Sequence, residues 1–287
     1  MKRSALLPSL LAAPLALAAP FQPDTIPADA QWYLHGDLTG LRETTTGRIL
    51  LNEIRKREAD KLADIQSLFG FDILTDLTDV TLFGSGKEDQ AAIMLTGKIG
   101  RVHLEEIITE ADFYQTSTHG AATIHHWDDD GKNQHAAFHG GNTVIISEQK
   151  DLVALAIDVL AKKKPGLKLN KALPSKSPIV VAFANLSKIE MPIEEGSRIV
   201  RKAESLLMTM GEKDERLITD MVVETESPKV AMQMMHILEG LVSLGELADD
   251  SIGDLGIEHH GQTNGKTMTM SMSLSVAKTL ALLSELK

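Results

Sequence analysis

His125-His126-Trp127-Asp128-Asp129-Asp130-Gly131-Lys132 (125–132) and His259-His260-Gly261-Gln262-Thr263-Asn264-Gly265-Lys266 (259–266) are the stretches that decide the fold. Each is a histidine pair, three more residues, then Asp-Gly-Lys or Asn-Gly-Lys. Asp-Gly and Asn-Gly favour two-residue hairpin turns, because both central positions take positive φ. Each stretch therefore predicts two antiparallel strands.

Similar elements can be read upstream of both hairpins. In the first half a strand over Gln31–His35 leads to Asp37, a residue suited to cap a helix start, and then to a helix over Thr46–Leu68. Strands over Val80–Phe83 and Ala91–Leu95 flank a charged turn, and a helix follows over Val102–Ala111. In the second half a strand over Ile179–Phe183 leads to Asn185 in place of Asp37, and then to a helix over Glu194–Leu206. Strands over Leu206–Met210 and Leu217–Val223 and a helix over Pro228–Leu244 complete the series; proline is tolerated at a helix start. A helix closes each half, Asp151–Lys162 and Val276–Leu286.

The expected fold class is α+β. Two related β-α-β-β-α-β-β-α units carry antiparallel or mixed sheets, with helices packed on one face. The first six elements have the order of a ferredoxin-like fold. The expected boundaries are a signal peptide at 1–18, a first unit at 19–164, a proline- and lysine-rich linker at 165–178 and a second unit at 179–287.

The signal peptide is read from Lys2 and Arg3, the apolar run Ala5–Leu17 and the small-x-small triplet Ala16-Leu17-Ala18. This run is too short to span a bilayer as a helix. The expectation is a periplasmic or secreted protein with no membrane span. Cysteine is absent, so burial must hold the fold, and thiol chemistry and a cysteine-linked lipid anchor are closed. The net charge of −11 opposes nucleic acid as a partner, and the 4% aromatic content argues against base- or sugar-stacking platforms.

Several patterns bear on chemistry. Five histidines fall between His119 and His139. With Asp130-Gly131 as the turn, His126 lies opposite His135 and His125 opposite Ala136. Facing imidazoles are close enough to share zinc or copper, so His126, His135 and His139 are the candidate metal ligands. A solvated sheet face would carry the same residues, and the His-Glu-x-x-His signature is missing. Met268, Met270 and Met272 alternate with Thr and Ser, and Met232, Met234 and Met235 lie on the preceding helix. Soft ligands select Cu(I), but methionine also fills gaps between helix and sheet. Asn264-Gly265 as the turn sets His259 opposite Met270. Ser147-Glu148-Gln149-Lys150 and Ser275-Val276-Ala277-Lys278 match S-x-x-K, without the companion S-D-N and K-T-G elements. A hydroxyl at a strand-to-helix junction is better placed to cap.

The function these readings favour is non-catalytic: an exported binding or envelope-interaction protein. Its partner would be an envelope protein or a small apolar ligand, the latter between the Met-rich helix and strand. The alternative is a metal-dependent enzyme or metal carrier built on the His119–His139 cluster.

Overall fold

Hydrogen bonding between strands far apart in the chain organises the molecule. The computed structural model describes residues 21–169, 173–175, 178–189, 200–248 and 256–285. The expected signal peptide and the acidic residues Asp249, Asp250 and Asp254 lie outside them. In chain order the elements are β1 (Trp32–Asp37), α1 (Leu38–Glu43), α2 (Thr45–Arg57), α3 (Ala59–Phe69), β2 (Leu77–Gly84), β3 (Ala91–Gly97) and α4 (Arg101–Thr109). Then come β4 (Gln115–His119), β5 (Ala122–Asp129), β6 (Lys132–His139), β7 (Thr143–Ser147), α5 (Lys150–Leu160) and β8 (Val180–Ala184). The chain continues with β9 (Ala203–Lys213), β10 (Arg216–Thr225), α6 (Pro228–Ala248), β11 (Glu258–Asn264), β12 (Thr267–Ser275) and α7 (Val276–Glu285).

The α+β class holds: among the described residues twelve strands form one sheet in the order β11-β12-β10-β9-β8-β1-β2-β3-β7-β6-β5-β4. Every pairing between named strands is antiparallel. A ferredoxin-like unit sets its third strand between the first and the second; here β1 pairs directly with β2, so that order is not seen. The sheet crosses the expected boundary at 165–178 without a break, because Tyr33 of β1 pairs with Phe183 of β8.

Outward from this junction the order is β1-β2-β3-β7-β6 on one side and β8-β9-β10-β12-β11 on the other. The β11–β12 hairpin therefore takes the place of β6–β7, which turns at Gly140-Gly141-Asn142, and not of β5–β6. The first half carries β4 and β5 in addition. The motif that pointed to two matching hairpins thus pairs turns at different places in the sheet.

The expectation of helices on one face is also corrected. Directly paired residues share a face, and neighbours along a strand alternate. On the front face, defined here by Tyr33, α5 packs Val153, Ala156 and Ile157 against Phe83, Met94, Ile124 and Ile145. On the back face α4 buries Leu104 with Ala136, Phe138 and Val144, and α6 buries Ala231 and Met235 with Val223 and Met268. The cause lies in β6 and β7. Ala136-Ala137-Phe138 and Thr143-Val144-Ile145 are buried without alternation, as strands covered on both faces are.

Other boundaries move for local reasons. The helix expected over 46–68 breaks at Glu58 into α2 and α3. The helix expected over 194–206 fails at its described end. Ala203–Leu206 belongs to β9, where Ala203 packs with Val223 and Met235. Cross-strand burial there overrides helix propensity. In the last hairpin Asn264 pairs with Thr267, so Gly265-Lys266 forms the loop and His259 faces Met272. Gly265 takes φ 58°, as a loop with glycine first requires. Asp37 does cap α1, its Oδ1 accepting from the Gly40 amide at 2.7 Å.

A second contact ties the halves. The Glu212 carboxylate at the end of β9 accepts the Thr45 and Thr46 amides at 3.0 and 2.8 Å, the first amides of α2. Burial opposes its charge, but these hydrogen bonds prevail and hold its pKa below the usual carboxylate range.

A shared sheet predicts shared unfolding. Phe83 is 1% exposed and sits beside the junction. Phe83→Ala should cost about 3–5 kcal/mol and leave one cooperative urea transition, followed by far-ultraviolet circular dichroism and by Trp fluorescence. Two separated transitions would contradict the arrangement.

Candidate functional site

One row of side chains crosses the front face and changes character as it goes. It opens with Gln115, His126, His135 and Ser147 on β4, β5, β6 and β7. It continues through Ala92, Phe83, Tyr33, Phe183, Leu207 and Val222 from β3 to β10. Thr269 and Gln262 close it on β12 and β11. Imidazoles thus stand at one end, aromatic and aliphatic groups in the middle, and hydroxyl and amide groups at the other end.

The middle of this row floors a cleft of about 260 Å³, lined by Tyr33, Phe183, Leu207 and Val222 from four strands. That is near the small end of the range for ligand pockets, about 300–1,000 Å³. Leu167 and Leu169 form its upper wall, with Lys168, Ser205 and Glu224 also lining it. Tyr33 stacks on Phe183 at 5.4 Å between ring centres, and Phe21 stacks on Tyr33 at 5.7 Å.

The segment expected to be a linker or crossing loop makes the wall. Ala28 N donates to Pro165 O and Leu167 N to Ile26 O, while Pro27 and Gly166 form a bridge. Gly166 is held so close that an added Cβ would sit 2.0 Å from Asp24 O. Burial pushes the Tyr33 phenol up to about 12, so it stays protonated at neutral pH.

The histidine cluster divides between the faces. His126 and His135 meet as expected, with ring centres 4.8 Å apart. His139 shares their face but lies four residues beyond His135, about 13 Å along the strand at 3.3 Å per residue. His119 is within 3.0 Å of Asp158 on α5. His125 points to the back face, where it hydrogen-bonds the Tyr114 hydroxyl at 3.0 Å and lies 3.8 Å from Glu105. Among the described residues no three His, Asp or Glu side chains converge as ligands for one ion.

The other motifs are absorbed by structure. Ser147 Oγ donates to Ala91 O and accepts from Gln149 N, which leaves it a junction residue. Asp128 of the acidic turn accepts from Gly131 N. Met268 and Met270 are buried, and Met235 packs with Met268 and fills the space beneath β11: a Cβ on Gly261 would meet its sulfur at 2.1 Å. The Met-rich helix and strand are thus packed together, and the apolar opening is on the opposite face.

The cleft residues were not singled out in the sequence. Their signal is the continuous apolar runs Ile179–Phe183 and Leu206–Met208, which mark strands apolar on both faces. His35 was missed too. It is 5% exposed, its Nδ1 hydrogen-bonds Thr81 Oγ1 at 2.9 Å, and its Nε2 is buried without a partner.

Comparison with known proteins reaches the fold and no further. No protein-family description and no curated protein matches the chain. Two crystal forms of TP0453 are similar in structure. Form IV gives a TM-score of 0.50 at 9% identity, covering 93% of this chain and 98% of TP0453. Form I gives 0.50 at 10% identity, covering 94% and 98%. No helix among the described residues is long and apolar enough to cross a membrane.

Burial holds the pKa values of His35, His125 and His135 below the ordinary imidazole range; Asp79 and Asp37 oppose the shift at His35. The unfolded chain takes up these protons near pH 6.5, while the folded chain resists until the pH is lower. Between those limits the unfolded state binds more protons, so stability falls as pH falls. Each group contributes at most about 1.4 kcal/mol per pH unit. Melting should therefore come at lower temperature at pH 5.5 than at pH 7.5. His35→Gln should flatten that slope; an unchanged slope would show that His35 does not resist protonation.

Proposed function

We propose that the chain is an exported, non-catalytic binding protein that holds a small apolar molecule in the cleft at the β1–β8 junction. The cleft itself carries this reading. Its floor is made by strands of both halves, and Tyr33, Phe183, Leu207, Val222, Leu167 and Leu169 line it with carbon. Junctions between two similar parts are where ligand sites tend to form. The matching strand orders outward from the junction support an origin of the two halves by duplication. Export is supported by the charged, then apolar, then small-x-small pattern over residues 2–18.

The chemistry of the walls favours binding over turnover. The phenol nearest the floor keeps its proton at neutral pH. Ser147, the serine of the first S-x-x-K match, is bound to backbone on both sides.

The test is fluorescence of 1-N-phenylnaphthylamine, a neutral apolar probe, on addition of the chain. Saturable enhancement is expected. Leu207→Trp fills the cleft from its floor and should weaken binding at least tenfold, with melting kept within a few degrees. Absence of saturable binding, or equal binding by Leu207→Trp, would overturn the reading.

A further inference from the structure

The geometry points to a second site, independent of the cleft: a two-imidazole site for a divalent transition-metal ion, formed by His126 and His135 at the β5–β6 end of the front-face row. Copper(II) is the ion it would hold most tightly, because nitrogen sites follow the Irving–Williams order.

Register places the two side chains. His126 and His135 are directly paired across antiparallel strands and leave the sheet on the same side. The β5–β6 turn fixes that register, with Asp130 and Gly131 at φ 52° and 83°. The ring centres are 4.8 Å apart and the planes are tilted by 35°. An ion about 2.0–2.1 Å from one nitrogen of each ring, with an N–metal–N angle of 90–109°, sets the ring centres roughly 4.5–5.2 Å apart. The pair, at 4.8 Å, stands inside that interval.

Each neutral ring has one nitrogen lone pair to offer. His126 Nε2 is 3.0 Å from Asn133 Oδ1, an acceptor, so the proton sits on Nε2 and Nδ1 keeps its lone pair. Asn133 then orients the ring, as outer groups do for metal-bound histidines. His135 Nδ1 is buried without a hydrogen-bond partner. With the proton on that nitrogen, the ring offers its Nε2 lone pair to an ion.

Two protein ligands leave further coordination positions for water or a second molecule. The third histidine named from the sequence, His139, is about 13 Å away along β6 and takes no part. The pair stands four strands from Tyr33, about 19 Å at 4.8 Å per strand, so the ion would not line the cleft.

Titration of the untagged full chain with copper(II) chloride tests this by calorimetry and electron paramagnetic resonance. The expected result is one tightly bound ion with nitrogen superhyperfine structure from imidazole. His126→Ala should weaken that ion at least tenfold, and His139→Ala should leave it unchanged. His135→Gln should act like His126→Ala; if it does not fold, His126→Ala alone decides. No tight ion, or one whose affinity and spectrum survive His126→Ala, would overturn the proposal.

Discussion

The antiparallel pairing of β1 with β8 is the contact on which the rest of this molecule depends. It joins residues 32–36 to residues 184–180 in the middle of the sheet, with about 145 residues of chain between them. Without it β1 and β8 would each be left as an unpaired edge strand, a known liability. With it the two central strands are paired on both sides and a single row of side chains runs across twelve strands. The cap that Glu212 places on α2 closes the same junction from the back. The segment after α5 closes it from the front through Pro165, Gly166 and Leu167.

Position along the row sets its chemistry. Near the junction the side chains are Phe83, Tyr33, Phe183 and Leu207, and the covering segment leaves an opening above part of them. Toward β5 the row ends in imidazoles, where the covering helix α5 gives way to its polar first turn. Burying histidines carries a cost below neutral pH, and His35, His125 and His135 all bear it. The fold shared with TP0453 at 9–10% identity fits this picture: a sheet of this kind can be kept while its side chains change almost completely.

Much of the local structure was legible in the sequence. The Asp130-Gly131 turn fixed the partners of His125 and His126 to the residue, because a type I′ loop allows one register. Asp37, Pro228 and the strands of the β2–β3 hairpin were readable for equally local reasons. The last hairpin slipped by two residues, since glycine-first and Asn-Gly loops compete at Asn264-Gly265-Lys266 and only the partners of β12 decide between them. Packing on both faces was written in Ala136-Ala137-Phe138 and Val144-Ile145-Ile146, but such runs read equally as helix or strand. The cleft was not legible at all. Tyr33, Phe183, Leu207 and Val222 meet only because β1 pairs with β8, and no local pattern records that pairing.

That pairing can be read directly, because the chain has no cysteine of its own to interfere. Leu34 and Ala182 face each other across β1 and β8 on the back face, where Leu34 is 41% exposed. The doubly substituted chain Leu34→Cys with Ala182→Cys should form an intramolecular disulfide under mild oxidation, seen by mass spectrometry of the digested protein. Leu34→Cys with Val180→Cys is a diagonal pair about 7–8 Å apart and should remain largely reduced. Equal oxidation of the two pairs, or none of the direct pair in a folded chain, would contradict a sheet continuous through the junction.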